Sequence, residues 1–185
     1  ENVHSDDAAV QQHVVRAMMQ LSLSPKYHHV LLDTGVVANV SAMAMTDRLT
    51  LEMRVNALQM LGAICATHPT TPAEGDVTDL LFLICNTNEH VDIRRASMMV
   101  VANASADAAN KQHLLQKPYI EALVIALSKA TDVVLIDYLM QFFHNLCRMD
   151  NKAGVILTQC GYPRHMFAPE RLRALSAAAA VYVCD

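Results

Sequence analysis

Apolar residues recur along this chain at i, i+4 and i+7, the spacing that gathers side chains into one stripe of an α-helix. Four long stretches carry it: Val14, Met18 and Leu21; Ala57, Leu61 and Ile64; Ser97, Val101 and Ala104; Leu139, Phe143 and Leu146, with Ser97 the one polar member. The stretches close on related segments, MMQLSLS, LGAICA, VANASA and FFHNLCR, and aligning Gln20, Ala63, Asn103 and Asn145 gives steps of 43, 40 and 42 residues. A second marker keeps the same rhythm. Gly35, Gly75, Pro118 and Gly161 stand 40, 43 and 43 residues apart, each just ahead of a short apolar helix. Helix breakers suit a chain turning between two packed helices, because Gly takes φ > 0 and Pro cannot continue a helix. Between the long helices lie two shorter ones, as in NKQHLLQK and YIEALVIALSK ahead of VLIDYLMQFFHNLCR. The pattern predicts an all-α chain in which helices stack as a solenoid.

A period of this size lies in the range of about 40–47 residues of HEAT and armadillo units and outside the ~34 of tetratricopeptide repeats. LLQKPYIEALVIAL and LMQFFHNLC, and less fully LLDTGVVANV with MMQLSLS, resemble the armadillo family, whose units pair an "I…G-x-I-x-x-L-V-x-x-L" segment with "A-x-x-x-L-x-N-L-S". The resemblance implies a right-handed α-solenoid, an α-α superhelix of about four armadillo-type three-helix repeats behind a leading helix. The chain reads as one repeat domain, with units near 1–24 (partial), 25–66, 67–106, 107–149 and 150–185. Two departures predict irregular stacking: THPTTPAEG replaces the first short helix of one unit, and GYPRHMFAP compresses the second helix of the last.

In that family the long third helices line a concave groove, and the Asn of "N-L-S" holds the backbone of an extended partner peptide. An amide both donates and accepts, so a ladder of them reads a main chain at intervals. Asn103 and Asn145 match this position, Gln20 imitates it and Ala63 does not. Spacing by four places Gln12, Arg16 and Gln20 on one face, then Val55, Gln59 and Ala63, then Arg95, Met99 and Asn103, then Asp137, Gln141 and Asn145. The candidate partner-binding residues are therefore Arg16, Gln20, Gln59, Arg95, Met99, Asn103, Gln141 and Asn145. Arg94 and Arg95 add a cationic pair suited to an acidic partner segment. The tryptophans that nuclear-transport receptors of this family place one turn before the Asn are replaced by Arg16, Gln59, Met99 and Gln141, which argues against a receptor for basic nuclear-targeting signals.

Composition narrows the picture. With 53% hydrophobic and 17% charged residues the chain folds rather than remaining disordered, and few aromatics, no Trp and five Gly favour helix on helix. A net charge of −4 offers no basis for wrapping a nucleic-acid backbone. No run approaches the roughly 18 apolar residues of a membrane span, and ENVHSDD has no secretory-signal character. The ends read as cuts in a longer protein. Five cysteines without framework spacing point to a reducing, intracellular compartment, the cytoplasm first, with nucleus and cytoskeleton as alternatives. The eleven methionines, Met18 and Met60 among them, fall chiefly at core positions.

No metal, cofactor or catalytic constellation is predicted. His144, Cys147, Cys160 and His165 copy a zinc-site spacing, yet Cys147 follows the buried Leu146 and Cys160 precedes the turn at Gly161, both places where the repeat wants a small side chain. Neither a phosphate-cradling Gly loop nor a G-x-S-x-G elbow occurs. The function read from the residues is a non-enzymatic protein–protein interaction scaffold that takes an extended peptide or a helix in its groove. The alternative is a structural segment whose apolar end, Ala177 to Val183, self-associates or meets a neighbour, since solenoids need capped ends. Regulation of a GTPase or chaperone is known for the fold but has no residue behind it here.

Overall fold

The computed structural model describes residues 8–69, 72, 74–149 and 151–162. The compressed segment of the last unit beyond Tyr162, His165, Cys184 and the run Ala177 to Val183 lie outside the described residues. The helices are α1 (Ala8–Ser22), α2 (His28–Asp33), α3 (Val36–Met45), α4 (Leu51–Cys65), α5 (Glu74–Cys85), α6 (Val91–Ala104), α7 (Ala108–Leu114), α8 (Lys117–Lys129), α9 (Val133–Met149) and α10 (Asn151–Gln159).

Gly35, Gly161 and Pro118 act as the breakers that the repeat required. Gly35 and Gly161 take left-handed φ values of 67° and 79°, a conformation that a Cβ disfavours. Gly35 thereby separates α2 from α3, and Pro118 occupies the first turn of α8, where its missing N–H has no intrahelical partner to lose. Gly75 falls inside the first turn of α5 rather than ahead of it. Three of the long helices are held at their starts by a side chain that accepts an otherwise unpaired N–H. Thr50 Oγ1 accepts from Met53 N–H at 3.3 Å, His90 Nδ1 from Asp92 N–H at 3.2 Å and Asp132 Oδ1 from Leu135 N–H at 2.8 Å.

The long helices form one continuous layer: α4 packs between α1 and α6, and α6 between α4 and α9. The shorter α3, α5 and α8 lie against α4, α6 and α9 respectively. Ten of the twelve predicted stripe positions are buried, including Ala57, Leu61, Val101, Leu139 and Phe143. Met60, Met98 and Met140 are fully buried as gap fillers. In α1 the stripe is displaced: Val15 is buried where Val14 was expected, and Leu21 is 44% exposed. Among the long helices α1 has a single neighbour, α4, so a narrower strip of its surface is covered.

The predicted loss of a short helix is also seen, because α5 follows α4 with no helix among the described residues between them. Both neighbouring units hold this connection. His28 of α2 meets Thr67 Oγ1 at 2.5 Å, and Asn110 of α7 donates to Pro69 O at 2.6 Å and to Ala104 O at 3.0 Å.

Candidate partner-binding groove

Successive long helices are joined by two kinds of repeated contact. The first uses the aligned asparagines. Asn103 Nδ2 donates to Gly62 O at 2.9 Å, and Asn145 Nδ2 donates to Ala102 O at 3.1 Å and to Ser105 Oγ at 3.1 Å. Each amide thus grips the carbonyl one residue before the equivalent position of the preceding unit. Expected as readers of a partner's backbone, these half-buried side chains also brace helix to helix.

The second contact is ionic and reaches the other way. Arg16 pairs with Glu52, which also accepts from Gln12 Nε2 at 2.8 Å. Arg54 Nη2 pairs with Glu89 at 3.0 Å, and Arg95 pairs with Asp132 through Nε at 2.9 Å and through Nη2. Arg95 Nη1 also binds Asp92 at 2.8 Å. Hydrogen bonds from Arg95 hold the Asp132 carboxyl below its ordinary pKa, and Asp132 in turn raises that of Arg95. Arg94 also acts on Asp132, so two guanidiniums stand here with two carboxylates. Arg95, half of the cationic pair expected to meet an acidic partner segment, is thus engaged within the chain.

Arg54 and Arg94 share a device that sequence reasoning missed. Arg54 Nε donates to Ala44 O at 3.1 Å and Arg94 Nε to Ile84 O at 3.0 Å, each across ten residues to the last turn of the preceding helix. The signal was available as two arginines 40 residues apart, in phase with the repeat.

Of the predicted site residues, Gln59, Arg95 and Met99 come together in one cleft of about 360 Å³, with Val55, Asp92, Val134 and Tyr138 completing its walls. Met99 lies over Gly62: a methyl group added at Gly62 would run into its Cε and Sδ. Arg16 and Gln20 are exposed on α1, and Gln141 is half-buried on α9; neither glutamine lines the cleft. Asp92, Val134 and Tyr138 were not predicted, because they enter from the helix starts and from the next unit.

Among the described residues no three His, Cys, Asp or Glu side chains come close enough to hold a metal ion. Burial pushes the Cys65 thiol up to about 12 and raises those of Cys85, Cys147 and Cys160, the opposite of an activated thiolate. No described helix is long and apolar enough to cross a membrane.

No family model and no curated protein matches the chain. Solved structures do. A designed armadillo repeat protein superposes with a TM-score of 0.80 over 98% of this chain and 79% of its own, at 17% identity. The chain has the armadillo-repeat fold. A computationally designed armadillo repeat protein for modular peptide recognition matches with a TM-score of 0.79 at 16% identity, over 98% of this chain and 79% of its own. A designed armadillo repeat protein in complex with the peptide (KR)4 matches with a TM-score of 0.78 at 14% identity, over 94% of this chain and 75% of its own. The right-handed α-solenoid implied by the repeat is thus the fold of the molecule. In this armadillo solenoid Asn103 and Asn145 each bond to the preceding long helix.

Proposed function

We propose that this armadillo-repeat chain, read as one repeat domain, is a protein-binding scaffold that holds an extended segment or a helix of a partner protein along α1, α4, α6 and α9. The observation that carries the reading is the cleft in which Gln59, Arg95 and Met99 meet Val55, Val134 and Tyr138, an apolar floor with a few placed polar groups, as binding sites have. The designed armadillo proteins of the same fold, one of them with a bound peptide and one made for peptide recognition, support it. The proposed surface also takes in Arg16, Gln20, Asn103, Gln141 and Asn145 on the same faces of these helices. The reading is non-enzymatic, with an intracellular partner.

The test is selection of peptides from a displayed random library on the purified domain, followed by titration against Met99→Glu and Gln59→Ala. Peptides that bind the groove lose about tenfold or more with Met99→Glu, because a buried unpaired carboxylate replaces an apolar contact. Selected peptides that bind Met99→Glu as tightly as the unaltered chain sink the groove assignment.

A further inference from the structure

The outer side of the solenoid carries a feature unrelated to the groove. Phe82, on the exposed face of α5, is 70% exposed. The same register holds Ala42 in α3 and Ile125 in α8, both exposed as well. A single exposed apolar side chain is ordinary, but Phe82 borders a cavity of about 290 Å³ whose floor is Met45 and Leu83 and whose rim is Asp47, Asp79 and Glu89.

Three carboxylates there face one cation. Arg54 pairs with Asp47 at 3.3 Å and with Glu89 at 3.0 Å, which leaves the rim with two negative charges in excess. The Asp47 side chain is 91% exposed, and Asp79 stands one helical turn from Phe82 on the same exposed face.

We propose that this rim is a second docking surface and that its occupant is a partner segment carrying an arginine beside an aliphatic residue. A guanidinium is planar and weakly hydrated, so it stacks on the Phe82 ring while donating to Asp79 or Asp47. The adjacent aliphatic side chain enters over Met45 and Leu83, and Met45 adapts to its shape. The volume, at the lower end of the ~300–1,000 Å³ of ligand pockets, suits a side chain better than a metabolite. The excess negative charge turns away phosphates and nucleic acid.

The experiment titrates the isotope-labelled chain, followed by amide shifts, with the capped peptide Gly-Ser-Arg-Leu-Ser-Gly and with versions carrying glutamate for arginine or serine for leucine. Saturable shifts are expected at Met45, Asp79, Phe82 and Leu83 with the arginine–leucine peptide, weakening in about 0.5 M salt as exposed charges are screened. Phe82→Ala and Asp79→Asn, both at exposed positions, each weaken it by about two- to fivefold. Met99→Glu, in the groove, leaves it unchanged. Absence of saturable shifts at these residues, equal binding of the glutamate peptide, or unaltered binding by both α5 variants overturns the proposal. Shifts confined to the groove overturn it while leaving the groove reading intact.

Discussion

Arg54 and Arg94 make the same Nε-to-carbonyl bond in successive units, but Arg54 alone adds a bond to Glu89, and replacing each in turn isolates what that carboxylate contributes. Arg54 is buried, and the side chain of Glu89 is 14% exposed. Arg54→Ala strands both the Ala44 carbonyl and a largely covered carboxylate. Removing one partner of a buried ion pair costs about 3–5 kcal/mol; because Glu89 retains some water and Asp47 is open to solvent, the lower end applies, about 3 kcal/mol. Arg94→Ala removes one hydrogen bond from a half-buried side chain, about 1 kcal/mol. For a domain of this size about 2–4 °C of melting temperature accompanies each kcal/mol. The expected falls are about 6–12 °C for Arg54→Ala and about 2–4 °C for Arg94→Ala, read by far-UV circular dichroism at neutral pH and checked by urea midpoints. If Arg54→Ala melts within about 2 °C of the unaltered chain, or if Arg94→Ala costs as much, the buried pair is not what secures this joint.

Acid should reveal the same pair. Burial pushes the Glu89 carboxyl up, but the His90 N–H and the Arg54 guanidinium outweigh it and leave its pKa below the ordinary value. Its contribution is therefore complete above the unfolded pKa of about 4.3 and is lost as pH falls through the lower folded value. Arg54→Ala should flatten the decline of melting temperature below about pH 4.5, and an acid limb as steep as in the unaltered chain would refute the assignment. Ser97 Oγ is buried with no hydrogen-bond partner, so Ser97→Ala should stabilise by about 1 kcal/mol; a lower urea midpoint would contradict this. Gly62→Ala places a methyl against the Met99 thioether, whose flexible end swings aside into the cleft, while helix propensity improves by up to about 1 kcal/mol. Its melting temperature should stay within about 3 °C while the Met99 methyl resonance moves; a large loss of stability would show that Met99 is locked.

Periodicity made the solenoid legible because breakers and buried stripes answer to the same geometric need, a turn and a packed face in every unit. It located Gly35, Pro118 and ten stripe residues directly. It erred at α1, where the absence of a second long neighbour moves the buried strip from Val14 to Val15 and leaves Leu21 exposed. The candidate site was legible only as a helix face. Aligning the repeats put Gln59 and Met99 on matching helix faces, and both line one cleft, but alignment says nothing of what enters from adjoining units. Tyr138, Val134 and Asp132 therefore went unseen, and with Asp132 the ion pair that engages Arg95. Asn103 and Asn145 were found at the aligned position, but their bonds to the preceding helix were not, because the acceptors lie 41 and 43 residues away.

The two kinds of joint point in opposite directions along the chain. Asn103 and Asn145 reach back 41 and 43 residues to carbonyls already made, whereas Arg16, Arg54 and Arg95 reach forward 36, 35 and 37 residues to carboxylates not yet made. During synthesis, which proceeds from the N-terminus, each arginine has no carboxylate to meet until the start of the next long helix has been made. The asparagines, near the far ends of α6 and α9, are made later still. At the α4–α6 and α6–α9 junctions the charged contact is thus the first of the two whose partners both exist, whereas the α1–α4 junction, with Ala63 at the asparagine position, has the charged contact without the amide.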